Sequence, residues 1–250
     1  MITFNGFDLS DDIRVTDISR PLNAPSLLTS STIVGRDGAF LYYKTAGPQN
    51  IDVSFMLIDN DQKSLRMKVR DLSEKLDTDK PEKLIFSDEP DKYINAIVED
   101  SIELNEVAAI ASGSISFFCP DPYWYAIEDD IIEKDTHGIY EFERKGTAKS
   151  YPLIEIEGSN KKGSIIIENR SSDEKIEFDG VLKTGEKLVL DSDSLTAYIV
   201  KPDGSTSSAI DNLSTLDFPV LDKGKNFLAV MIKGDASISK VKISCRSRWK

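Results

Sequence analysis

The chain has 250 residues and a formal net charge of −12. Hydrophobic residues make up 40% and charged residues 30%, which fits a folded protein and excludes the apolar-poor make-up of a disordered chain. The acidic balance, with no basic stripe, excludes ordinary binding to a phosphate backbone, so no sequence-specific nucleic-acid partner is expected.

This length allows one large β domain or two smaller ones, with a core that needs no metal or disulfide. Cys119 and Cys245 lie far apart and form no C-x-x-C pair, so two reduced, buried thiols are expected, as in proteins made in the cytosol. The opening residues 1–12 lack the basic region and apolar core of a signal peptide. The longest apolar run, residues 227–232, is far too short to cross a bilayer. The sequence therefore reads as soluble, without membrane insertion.

In chain order, period-two alternation predicts strands at 13–18, 39–44 and 51–57. In the last of these, Ile51, Val53, Phe55 and Leu57 alternate with Asp52, Ser54 and Met56, which puts the apolar set on one face. Leu65, Val69, Leu72 and Leu76 then recur at helical spacing, predicting a helix over 62–76. Asp59, Asn60 or Asp61 can cap it, and Pro81 lies beyond its end. Strands follow at 83–87, 93–98 and 112–119, then at 153–157, 164–168, 175–178, 187–190, 195–200, 227–233 and 237–244. Glycines at 38, 163, 180, 185, 204 and 224 mark the reversals between them. Short strands at this spacing predict a mainly β chain built from sandwiches. Residues 126–150 read as a mixed, charge-rich connection, giving two expected domains: residues 1–135 with the helix, and an all-β domain over 136–250.

Catalytic chemistry finds little to build on. His137 is the only histidine and sits in a turn-like stretch, so no multi-histidine metal site can form. Glu155 and Glu157 share a strand face but alternate with Ile154 and Ile156, as on a solvated face opposite a core. Asp191 and Asp193 resemble the start of a calcium loop, yet its fifth position is Leu195 and its twelfth Pro202, which rejects an EF-hand. The stretch Gly35-Arg36-Asp37-Gly38 lacks the closing Gly-Lys-Ser/Thr of a phosphate loop and reads as the tip of a hairpin. No catalytic, metal or cofactor residues are assigned.

Two segments stand out for other reasons. After the tip, Phe40 and Tyr42 fall on one strand face and Leu41 and Tyr43 on the other. Either both faces are buried within the chain, or a partner buries one of them. The run Phe117-Phe118-Cys119-Pro120-Asp121-Pro122-Tyr123-Trp124-Tyr125 offers either a sugar-stacking surface or an aromatic cap on the first core, and the cap is the favoured reading.

The whole chain resembles the distal tail proteins of siphoviruses. The likeness is carried by Ile2-Thr3-Phe4-Asn5-Gly6-Phe7-Asp8-Leu9-Ser10 with Ile13-Arg14-Val15, by Lys83-Leu84-Ile85-Phe86 with Ala96-Ile97-Val98, and above all by the aromatic-proline run to Ala126. Tyr151-Pro152-Leu153-Ile154-Glu155-Ile156 fits as the start of the second domain. The resemblance implies an N-terminal β-sandwich with one helix and a projecting hairpin, followed by a galectin-like or carbohydrate-module-like sandwich. It implies a structural virion protein and no enzyme. Six copies would form a ring through the first domain, joining the tail tube to the tail-tip or baseplate adhesion apparatus with a channel for DNA. The expected partners are the chain itself, the tail tube protein, a tail-associated or tail-tip protein and receptor-binding proteins. The expected location is the phage tail tip, after synthesis in the host cytoplasm. Ile33, Val34, Arg36, Asp37, Phe40, Leu41, Tyr42 and Tyr43 are the candidate intersubunit surface, and Cys119, Pro120, Asp121, Pro122, Tyr123 and Trp124 the candidate interdomain junction. The rival reading is a carbohydrate-binding module for host adhesion, whose aromatic candidates in the second domain are Tyr151, Phe178, Tyr198 and Trp249, with Phe178 and Tyr198 reading as core.

Overall fold

The structure of the chain, a computed structural model, describes residues 1–99 and 102–250. The fold is mainly β, and it divides into two compact units, residues 1–127 with Lys250 and residues 128–249.

The first unit contains β1 (Ile2–Phe4), β2 (Phe7–Asp8), β3 (Arg14–Ser19), β4 (Ser26–Ser31), β5 (Phe40–Ala46) and β6 (Gln49–Ile58). These are followed by α1 (Gln62–Leu76), β7 (Glu82–Phe86), β8 (Lys92–Val98), β9 (Asn105–Val107), β10 (Ile110–Cys119) and the start of β11 (Trp124–Lys134). The pairing is antiparallel throughout. Strand β8 joins two groups, pairing with β7 at residues 94–96 and with β10 at residues 97–98. The first group runs β2-β1-β7 and the second β10-β6-β3.

Alternation in β6 does what its sequence predicts: Ile51, Val53, Phe55 and Leu57 are buried, while Asn50 and Asp52 face solvent. Across from them, Ala111, Ile115 and Phe117 of β10 supply the same core face. Gly113 sits opposite Phe55 because a Cβ there would come within 2.9 Å of the Glu103 carbonyl oxygen and 3.3 Å of the Phe55 ring. The opposing contribution comes from Ile2, Phe4, Leu84, Phe86, Ile94 and Ala96. Helix α1 starts where Asp61 accepts hydrogen bonds from the backbone N–H groups of Lys63 (2.8 Å) and Ser64 (3.0 Å), two donors that the helix itself leaves unsatisfied. Its buried face carries Leu65, Leu72 and Leu76. Fully burying each leucine contributes about 1.5–3 kcal/mol.

The second unit holds the rest of β11 and β12 (Gly138–Arg144), β13 (Leu153–Ser159), β14 (Ser164–Asn169), β15 (Glu174–Phe178) and β16 (Lys187–Asp191). It ends with β17 (Thr196–Val200), β18 (Thr206–Ser208), β19 (Gly224–Lys233) and β20 (Ser237–Trp249). One sheet is ordered β18-β17-β16-β13-β20-β11 and the other β12-β19-β14-β15. Ile154, Ile156, Leu188, Leu190, Val241 and Ile243 from the first meet Tyr140, Phe142, Ile165, Ile167, Ile176, Phe178, Leu228 and Val230 from the second in one core. This is a β-sandwich, with inward residues alternating with wet ones along each strand.

The mixed, charge-rich stretch 126–150, for which no strand is predicted, is mostly strand, β11 and β12. In β12 the buried positions are Tyr140, Phe142 and Arg144, with Glu141 and Glu143 exposed. The alternation is intact, but one core position is an arginine, and that hides the strand from a hydrophobicity pattern.

Candidate functional site

The feature that no core explains is the ribbon β4–β5. Its strands pair Leu27 with Thr45, Leu28 with Lys44, Thr29 with Tyr43 and Ser31 with Phe40, with a bulge between Thr29 and Ser30. Paired residues share a face. Leu27 therefore shares one face with Tyr43 and, beyond the bulge, with Phe40, while Leu28 shares the other with Leu41. Both faces are open to solvent: Leu41 is 59% exposed, Tyr42 66% and Tyr43 59%. Burial within the chain, one of the two alternatives open at the sequence level, is thereby excluded. The ribbon forms a two-stranded sheet of its own.

Local contacts hold its shape. The Gly47 N–H donates to the Pro25 carbonyl at the base (2.7 Å), and Ser31 Oγ lies 2.8 Å from Tyr42 Oη. The Arg36 guanidinium sits 4.6 Å from the centroid of the Phe40 ring, a cation–π contact that organises the tip. Gly35 (φ 81°) and Gly38 (φ 87°) allow that tip to turn, in a backbone region that side chains with a Cβ avoid. Ile33 and Val34 project from it, Val34 with full exposure. Before the base, Arg20 pairs with Asp88 and lies 4.7 Å over the Phe86 ring. The Arg20 guanidinium holds the Asp88 carboxyl below its ordinary range. Within residues 26–46 the charges are Arg36 and Lys44 against Asp37 alone, so this arm is locally basic on an acidic chain.

The aromatic-proline run lies wholly in the first unit, and its side chains are engaged there. Cys119 is fully buried, and burial pushes its thiol up to about 12. Asp121 accepts from the Tyr123 N–H (3.2 Å) and from the Tyr125 hydroxyl, and Gln49 Nε2 donates to the Pro122 carbonyl (3.1 Å). Pro120 is exposed at the turn. Trp124 packs on Phe86 (6.0 Å between centroids), Tyr125 stacks on Tyr93 (5.7 Å) and Phe117 meets Phe4 (5.1 Å). The aromatics contribute area and rigidity to this core. In the second unit Phe178 is buried, Tyr198 and Trp249 are half-buried, and the Arg248 guanidinium covers Tyr151 at 4.6 Å.

The side chains weighed for chemistry are dispersed. His137 is exposed between β11 and β12. Glu155 is paired with Lys187 (3.2 Å) and Lys242 (3.4 Å), an ion-paired wet face as expected. Asp191 accepts from the N–H groups of Asp193 and Ser194, closing a turn. Among the described residues no cluster of His, Cys, Asp or Glu could hold a metal.

Three features escaped the sequence reading. Strand β4 adds Leu27 and Leu28 to the arm, and an adjacent leucine pair mirroring Leu41-Tyr42 was the available signal. A cavity of about 430 Å³ opens beside the C-terminal half of α1, lined by Phe55, Val69, Leu72, Leu76, Val98 and Leu104, with Ser73, Asp77 and Thr78 also on its wall. Arg144 is buried, donating to Cys245 Sγ (2.9 Å), to the Arg246 carbonyl (3.0 Å) and to Ser150 Oγ.

Residues 7–119 match the phage tail protein RIFT-related domain, and residues 145–249 match the C-terminal domain of the siphovirus-type tail component. The two matches fall one in each compact unit. The fold is also that of the SPP1 Dit protein, described as a paradigm of the hub adsorption apparatus in Gram-positive infecting phages. The TM-score is 0.80 at 16% identity, over 100% of this chain and 98% of that one. The chain belongs to the siphovirus distal tail proteins. Two structures of the phage p2 baseplate in its activated conformation, with Sr and with Ca, give TM-scores of 0.49 and 0.48. Both are 10% identical over 96% of this distal tail chain and 92% of theirs. No curated protein matches the sequence. As a distal tail protein the chain is a structural component of the virion tail and not an enzyme. Its arm lies inside the matched RIFT-related domain, and its aromatic-proline run lies at that domain's end.

Proposed function

We propose that this distal tail protein assembles into a closed ring of six copies through its first unit, with the arm at residues 26–46 as the intersubunit surface. The observation that carries this reading is the arm's apolar exposure on both faces. A two-stranded ribbon with no core is marginal in water by itself, and a contiguous apolar patch of this kind marks an interaction site. An arm meeting a different surface on the next copy makes a head-to-tail contact, which yields a ring when the rotation closes.

The ring joins the tail tube protein to a tail-tip or tail-associated protein and to receptor-binding proteins, and DNA passes through its channel. The net charge of −12 suits such a passage, since an acidic wall repels the phosphate backbone instead of holding it. The first domain, residues 1–135, forms the ring. The second, residues 136–250, is a galectin-like outer module, and residues 119–124 stiffen the approach to it. Electron microscopy and light scattering of the purified chain test the reading. Sixfold rings at high concentration are expected, and a strict monomer at every concentration would overturn it.

A further inference from the structure

The cavity beside α1 offers a receptor for the arm's tip. Protein interiors are close-packed, and side chains that line an unfilled apolar space forgo the contacts they would otherwise make. At about 430 Å³ this space falls in the range of pockets that bury a small organic group, roughly 300–1,000 Å³. Most of its lining side chains are apolar, among them Phe55, Val69, Leu72, Leu76, Val98 and Leu104. The chain's own apolar tip does not enter it, for Val34 is fully exposed and Ile33 is 53% exposed.

We propose that the cavity receives Ile33 and Val34 from the arm of a second copy. This inference rests on the ring reading and names the surface that the arm meets. Charge favours the same pairing. The cavity lies at the C-terminal end of α1, where the helix dipole presents partial negative charge, and the exposed Asp77 lines it. Of the tip's two charges, Arg36 and Asp37, the cation stands nearer to Val34 in the chain and is the one that can face this end. Tip and cavity are different surfaces of one unit, so each copy donates once and accepts once, the arrangement that lets identical chains close head to tail.

The test is chain-to-chain crosslinking. One full-length variant carries Val34→Cys and another Ser73→Cys, both at exposed positions, and the two are mixed under mild oxidation. The native thiols, Cys119 and Cys245, are buried and silent. A disulfide-linked pair containing one chain of each variant is expected. Lys63→Cys serves as the control; it lies ten residues away on α1, about 15 Å along the helix, and should not link. Val34→Asp should raise the concentration for half-assembly about tenfold or more while leaving the far-UV circular dichroism unchanged. Rings that form without the 34–73 link, or that link equally at 63, or that ignore Val34→Asp, overturn this inference and leave the ring reading standing. A wild-type chain that never assembles overturns both.

Discussion

The arm separates two roles that a hydrophobic side chain can play, stabilising its own chain or joining chains, and the double variant Leu41→Ser with Tyr43→Ser distinguishes them. Both residues lie on strand β5, one on each face of the ribbon, and each is 59% exposed. Fully burying such a side chain is worth about 1.5–3 kcal/mol. With roughly three fifths of each still wet, about 1–2 kcal/mol per residue remains to be gained at an interface. Losing both costs about 2–4 kcal/mol per contact, a weakening of association of about 30- to 700-fold at ~1.4 kcal/mol per decade. The folded monomer should barely respond, since exposed substitutions away from caps and cores fall within about 0.5 kcal/mol. A concentration series by light scattering reads the first quantity and a urea midpoint on dilute protein the second. A marked fall in monomer stability with unchanged association would refute the reasoning, because it would mean that these side chains serve the chain's own fold.

Asp61→Ala removes the acceptor from the first turn of α1 and should lower the melting temperature by about 2–4 °C, as followed by circular dichroism at 222 nm. Arg144→Ala leaves Ser150 and the Arg246 carbonyl without their buried donor and should destabilise the second unit by about 2–4 kcal/mol, visible as a lowered urea midpoint. Glu177 is held at about 2 by the Ser164 hydroxyl, helped by Lys175 and Lys233, against an ordinary value of 4.5. Its stabilisation is present above pH 4.5 and drains away as the pH falls toward 2, so Glu177→Gln should cost about 1–2 kcal/mol at pH 7 and almost nothing at pH 2, the solvent-screened remainder of the shift. Raising the salt from 10 mM to 0.3 M should strengthen association, because it screens repulsion between copies of charge −12 while leaving apolar arm contacts intact; a weakening would mean that ion pairs dominate the interface.

The fold was legible where one physical rule acted alone. Strand β6 and helix α1 follow hydrophobic period, so Ile51, Val53, Phe55 and Leu57, and Leu65, Leu72 and Leu76, lie where their spacing predicts. Legibility failed where a second rule intervened. Strand β12 hides because Arg144 occupies a core position, where its two terminal nitrogens donate to a thiol, a carbonyl and a hydroxyl. Strand β4 hides because Ser26, Thr29, Ser30 and Ser31 read as turn residues, and only pairing with β5 makes them a strand. The arm was visible as apolar character on two faces, but spacing cannot say whether those faces are wet, and exposure decides that. The cavity at α1 had no signal in the sequence, since Phe55, Leu72 and Val98 read as core in any arrangement.

The same contrast explains how the arm can exist. Each unit carries its own core, Ile2 to Cys119 in one and Tyr140 to Cys245 in the other, so folding of either does not depend on residues 26–46. An arm that belongs to neither core is free to be apolar on both faces, and in the proposed ring a neighbour supplies the burial. Its hazards are those of any exposed ribbon, namely edge pairing with the wrong chain and aggregation. Two features limit them. Arg36 and Lys44 lie on the arm itself, and the acidic body keeps copies apart at long range, so only a contact that buries apolar area at close range overcomes the repulsion. In the proposed contact, selectivity comes from the receiving surface, where an apolar space at the negative end of α1 meets an apolar tip that carries Arg36.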